Sequence, residues 1–254
     1  MPKRARDDLI WLRPHPGDRP CRLTREKIAA AALSIADTDG FEAVSMRRIA
    51  ARLGASTMSL YYYLHTKADL IALMDDALMG EVLVPKGQLP RGWREAISVI
   101  ARRTRDVFAH HPWAILSMQG APPGPNAMRH FEQCLEALEE APISLEGKLA
   151  LLQLVDDFVF GHSLRSVEAR LRFGGDSELT RSAEALSQEL FKTGAFPRTE
   201  ALFARSKSRD AARHHQWLTE DRFEDLLAAV LQGAARQLSR TKRSGRRSTP
   251  SRSR

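Results

Sequence analysis

The chain has 254 residues, 43% of them hydrophobic and 28% charged, with a formal net charge of +8. That is long enough to bury a real core, and the composition is ordinary for a soluble globular protein. No apolar run approaches the roughly 20 residues of a membrane helix and no apolar signal core follows the N-terminus, so a cytoplasmic protein with no membrane partner is expected.

Charge is unevenly placed. Residues 240–254 hold seven Lys/Arg and no acidic residue, the N-terminal third is mildly basic, and the body from 68 to 239 is mildly acidic. Such polarity suits a polyanionic partner at the N-terminal end, although basic tails are also commonly just solvated. Cys21 and Cys134 lie far apart with no metal-ligand spacing, which argues for free thiols, with no disulfide framework or zinc site.

Residues 1–23 lack periodicity and read as a flexible basic arm. Thr24 then caps a helix whose apolar residues recur at Ile28, Ala31, Ala32, Ile35 and Ala36, and Gly40 stops it. Ser45 caps a second helix through Met46, Ile49, Ala50 and Leu53, broken by Gly54. Ser56 caps a third, short helix to about Tyr62. A fourth starts after Thr66 with Leu70, Ile71, Leu73, Met74 and Leu78. A Pro/Gly-marked break runs from Pro85 to Gly92. Helices are then expected at about Trp93–His110, briefly after Pro112, at Asn126–Glu140, at Ser144–Arg172, across 182–192 and at Glu220–Leu238. The stretch from Gly194 to Trp217 reads as mixed, polar and mobile. The tail 240–254 has no apolar residue to pack and reads as disordered. Nothing alternates with period two, so the fold class is all-α.

The strongest functional signal lies between Ser45 and Lys67. Ala50 lets two helices cross closely, Gly54 takes the left-handed turn conformation, and Leu60 plugs the core with Leu53 and Leu64. That spacing is a helix-turn-helix. With Leu60 and Leu64 inward, Thr57, Met58, Tyr61 and Tyr62 turn outward as two i,i+4 pairs, the face that enters a major groove. Tyrosine hydroxyls reach phosphates and their rings reach thymine methyls. All three tyrosines are Tyr61, Tyr62 and Tyr63, and one of them is expected to pack instead. Arg47 opens the second helix near the DNA backbone, placed for a phosphate or a guanine edge. Lys67 and the free amides beside it begin the fourth helix, where phosphate is favoured.

The run LTREKIAAAALSIADTDGFEAVSMRRIAARLGASTMSLYYYLHTKADLIALM resembles the DNA-binding domain of the TetR family of bacterial regulators. The resemblance covers about residues 23–79, including both flanking helices. It implies that Arg47, Thr57, Met58, Tyr61, Tyr62 and Lys67 lie at double-stranded DNA. It implies a helix-turn-helix domain at 24–67, joined by a fourth helix to a helical ligand-binding and dimerisation domain at 68–239. His111–Trp113, the Pro-rich loop and the closing DRFEDLL resemble the subgroup with a tetracycline-repressor-like C-terminal domain, although tetracycline itself is not implied. A homodimer on a palindromic operator, responsive to an unknown small-molecule effector and acting as a repressor, is the implied function.

In the C-terminal domain, Trp113, Met118, Phe131 and Phe158 are large apolar groups with two open fates, core packing or lining a ligand cavity. His162 and Arg165 lie on the long helix, where a buried polar group needs a partner such as a ligand, Asp156 or Asp157. Helices Ser144–Arg172 and Glu220–Leu238 carry faces wide enough for core and partner together.

Three rival readings stand beside repression. An activator of the same fold is not distinguished by sequence, and a helical protein-interaction module would leave the tyrosines unexplained. An enzyme finds no support, because no nucleophile elbow, metalloprotease helix, phosphate loop or dinucleotide fingerprint is present. No cofactor is implied. Neighbouring side chains on a helix point about 100° apart, so neither His110–His111 nor His214–His215 is expected to chelate as a pair.

Overall fold

The computed structural model describes residues 9–13, 23–117, 122–173, 178–206 and 222–244. Every regular element among them is helical. The α-helices are α1 (Arg25–Asp39), α2 (Met46–Leu53), α3 (Thr57–Tyr61), α4 (Lys67–Val82), α5 (Trp93–His110), α6 (Ala114–Ser117), α7 (Pro125–Ala137), α8 (Leu145–Phe173), α9 (Glu178–Lys192), α10 (Pro197–Ser206) and α11 (Phe223–Ser244). The chain divides into two compact units, Met1–Leu152 and Gln153–Arg254.

The first four helices begin on side-chain caps. Thr24 Oγ1 accepts from Lys27 N at 3.2 Å, Ser45 Oγ from Arg48 N at 3.4 Å and Ser56 Oγ from Ser59 N at 3.1 Å. Thr66 and Asp69 form a reciprocal capping box at the start of α4. Each satisfies amides that a helix leaves orphaned, worth about 1 kcal/mol apiece. α2 ends where Gly54 adopts φ 61, ψ 35, and Ala55 N donates back to Ala50 O at 2.9 Å. An L-residue with a side chain would be strained there.

α1 packs on α2 and α4, and α4 packs on α5 and α7. Ile28, Ile35, Ile49, Leu60, Leu64 and Met74 are fully enclosed in this core, each contributing about 1.5–3 kcal/mol from burial. α7 has no local side-chain cap. Asp76 on α4 supplies one, accepting from Asn126 N at 2.7 Å and Ala127 N at 3.4 Å. Burial pushes the Asp76 carboxyl up despite those amides. Gly124 allows this approach, since a Cβ there would lie 2.3 Å from Asp76 Oδ1 and 2.6 Å from Trp11 Cζ2.

The structure departs from the sequence reading at several places. Residues 9–13 are not a loose arm: Ile10–Leu12 forms a 3-10 turn with Ile10 1% exposed, and Trp11 packs on the core. Residues 1–8 and 14–22 of that arm lie outside the described residues. α10 is a helix inside the stretch read as mixed and mobile, and 207–221 lie outside the description. Pro197 at its first position explains it, because proline is pre-set for a helix start. α11 runs to Ser244, five residues into the segment read as a disordered tail, and 245–254 are outside the described residues. No described helix is long and apolar enough to cross a membrane.

Candidate nucleic-acid interface

α3 is only five residues long, so its orientation comes from what lies beneath it. Leu60 and the following Leu64 are fully buried. Tyr63 N and Leu64 N both donate to Leu60 O, at 2.9 and 3.0 Å. Tyr63 is 7% exposed and its hydroxyl donates to Leu23 O at 2.9 Å, tying the end of this segment to the chain just before α1. Tyr63 is therefore the structural member of the three tyrosines.

The opposite face is open. Met58, Tyr61 and Tyr62 are 70%, 49% and 73% exposed, and Thr57 is exposed beside them. Three large, partly apolar side chains on one short helix and its C-cap, all turned to solvent, are an arrangement that packing does not require. Arg47 is exposed near the start of α2, while its neighbour Arg48 pairs with Asp39. Lys67, the first residue of α4, is exposed as well.

Asp69 locks the junction between α3 and α4. Its carboxylate accepts from His65 N at 2.7 Å and Thr66 N at 3.1 Å, and Arg13 grips it with two bonds of 2.6 and 3.0 Å. Burial alone would raise this carboxyl, but the Arg13 guanidinium and the two amides hold it below the usual carboxylate range. Asp69 thus ties up the amides of His65 and Thr66, and the exposed Lys67 follows directly at the first position of α4. Sequence reasoning missed Arg13, because a lone arginine in an aperiodic arm carries no local signal. The start of α4 after Thr66 was legible, while Asp69 as its reciprocal cap emerges only in the structure.

The residues considered for a ligand cavity part company. Trp113 stacks on Phe41 with ring centroids 5.6 Å apart and donates its Nε1–H to Asp37 at 2.8 Å. Its ring and its donor are thus committed to the N-terminal core, which counts against cavity lining. Met118 lies outside the described residues. Phe131 is 45% exposed on α7. Phe158, His162 and Arg165 belong to the second compact unit. There the half-buried Phe158, one turn before the buried His162, sits 5.3 Å from the ring of Phe223, and His162 meets that ring edge-on at 5.0 Å. Phe223 is fully enclosed at the start of α11, and Arg165 is exposed. Asp157, a candidate partner for His162 or Arg165, accepts from Gln153 at 3.3 Å.

The His110–His111 expectation also needs correction. His110 ends α5, but His111 has left the helix with φ −117, ψ 65, so helical spacing does not govern the pair. One ligand atom from each, together with a carboxylate oxygen of Asp37, lie within 4.8 Å of one another.

Comparison with known proteins adds the context. The family described as "Bacterial regulatory proteins, tetR family" matches residues 28–74, and "Tetracyclin repressor-like, C-terminal domain" matches residues 86–238. The chain is 33% identical over 198 residues to the HTH-type transcriptional repressor DrrR1 of Streptomyces coeruleorubidus, covering 75% of this chain and 73% of that one. It is 25% identical over 183 residues to the tetracycline repressor protein class E of Escherichia coli, covering 72% and 86%. Among solved structures, the Streptomyces coelicolor TetR family protein ActR in complex with actinorhodin aligns with a TM-score of 0.64 at 28% identity. That alignment spans 84% of this chain and 95% of ActR.

Proposed function

The chain belongs to the TetR family of bacterial regulatory proteins, a non-enzymatic DNA-binding transcription regulator, and from that premise we propose that it is a cytoplasmic homodimeric repressor released from a palindromic operator by a small molecule. The observation that carries this reading is the solvent-facing set Thr57, Met58, Tyr61 and Tyr62 along α3 and its C-cap, opposite the fully buried Leu60 and Leu64. These four side chains read base edges, while Arg47 and Lys67 bind phosphates and set register.

One such helix reads only a few base pairs, and phosphate contacts alone give Kd values of order 10⁻⁴ to 10⁻⁶ M. Two copies of α3 held roughly 34 Å apart bind far better and read an inverted repeat. The dimer is built from α8 and α11. Leu149, Leu154 and Phe160 on α8 and Leu226 on α11 are exposed in the single chain, which supports this assignment. The effector binds in the C-terminal helical domain and prefers the state whose recognition helices are wrongly spaced, so it shifts the population off DNA by its differential affinity. ActR's complex with actinorhodin makes that compound the first probe.

A binding selection tests the reading. Purified full-length protein is mixed with sheared genomic DNA of its source at physiological salt, and the retained fragments are sequenced. Enrichment of one short inverted repeat is the expected result. General, salt-sensitive retention without enrichment would contradict it.

A further inference from the structure

We propose that Asp37, His110 and His111 form a binding site for one divalent transition-metal ion of the zinc class. The site joins the last turn of α1 to the end of α5, within the first compact unit. Two imidazoles and a carboxylate are the donor set that zinc and its neighbours take, with water filling the remaining position.

The surroundings of His111 supply the second observation. Its ring is 3% exposed, and both nitrogens face carboxylates: Nδ1 lies 2.6 Å from Asp37 Oδ1 and Nε2 3.1 Å from Glu81 Oε2. A neutral imidazole has one N–H, so it donates to only one of the two. With Nδ1–H given to Asp37 the Nε2 lone pair faces the Glu81 oxygen, and with Nε2–H given to Glu81 the bare Nδ1 lone pair confronts the Asp37 oxygen. A cation between them turns that repulsion into two coordinate bonds. Glu81 then fills the role of the carboxylate that orients a ligating histidine from behind, and Trp113 Nε1–H, 2.8 Å from Asp37 Oδ1, orients the carboxylate ligand. His110 closes the set, its ring edge-on to His111 with centroids 4.6 Å apart.

The fit requires side chains to move, since the three ligand atoms lie within 4.8 Å of one another rather than at a common bonding separation. Bonds of about 2.0–2.1 Å in a tetrahedral site put donors roughly 3.3 Å apart, so Asp37 and His111 must separate by about 0.7 Å. Asp37 and His110 are exposed, which gives the ion an entry path and the side chains room to turn. The ion would fix the angle between α1, which belongs to the DNA-binding core, and α5.

Titration of chelator-stripped full-length protein with Co²⁺ alone, followed by visible absorption, tests the proposal without DNA. The expected result is one ion per chain with a low-symmetry, tetrahedral-type spectrum. His110→Ala, at an exposed position, and Asp37→Asn abolish that isotherm. Glu81→Gln weakens it 10- to 100-fold. Failure of the wild-type chain to bind Co²⁺ overturns the proposal and leaves a second proton as the group that reconciles His111 with its two carboxylates. Unchanged stoichiometry and affinity in both His110→Ala and Asp37→Asn also overturns it, by placing the ion on other residues.

Discussion

The four helices around the exposed face of α3 and the two that pack on α4 after them, α5 and α7, are specified differently. α1 to α4 all begin on local side-chain caps from Thr24, Ser45, Ser56 and Thr66. α5 and α7 begin at Gly92 and Gly124 with no side-chain cap, and α7 depends on Asp76, some fifty residues earlier in the chain. Farther on, Leu186, Leu190 and Phe196 remain exposed. The lesson is one of division of labour. A short reading head must hold its shape by itself, before any partner arrives, so its stops and starts are written locally. Beyond it the pattern is mixed: α8 begins on a local cap, Ser144 Oγ accepting from Gly147 N at 3.1 Å, and α10 on Pro197, whereas α7 draws on the distant Asp76.

The sharpest way to break this contrast is to hollow the head. Leu60→Ala removes a fully buried side chain beneath α3. It is expected to cost about 2–5 kcal/mol, read as a lower midpoint in denaturant unfolding with little change in slope. If stability barely changed, α3 would not rest on that core.

A smaller effect is expected where the arm grips the head. Arg13→Ala removes two charge-assisted bonds to Asp69, whose amide partners and cap remain. A loss of about 2 kcal/mol is expected at neutral pH. Asp69 titrates below its ordinary range when folded, so the Arg13 contribution is present above that ordinary range and is lost as pH falls below it. Wild-type and Arg13→Ala unfolding curves should therefore converge in acid. Curves that stayed parallel into acid well below the ordinary carboxylate range would assign the effect to packing rather than charge.

Much of the head was legible because its signals are local. Caps at Thr24, Ser45, Ser56 and Thr66, stops at Gly40 and Gly54, and inward Leu60 and Leu64 fix its helices from neighbouring residues alone. The outward position of Thr57, Met58, Tyr61 and Tyr62 follows from the same periodicity. What escaped the sequence is non-local. Ile10 and Trp11 form a single 3-10 turn, too short to show a period, and they are recognised only by the core they meet. His111 looked like a helix residue, yet leaving the helix is what brings it to Asp37 and Glu81. α10 hid behind Gly194 and Pro197, which read as loop residues until the proline is placed at a helix start.

The central claim is that the open face of α3 reads DNA while the buried face holds the fold. The most direct measurement compares operator affinity and thermal unfolding in one double variant, Thr57→Ala with Tyr61→Ala. Each lost base contact is worth about 1–3 kcal/mol, so operator binding should weaken by at least ~10-fold while the melting temperature and dimer stay as in the parent. Operator affinity equal to the parent's would contradict the claim, and so would a loss of binding that merely tracks a loss of stability.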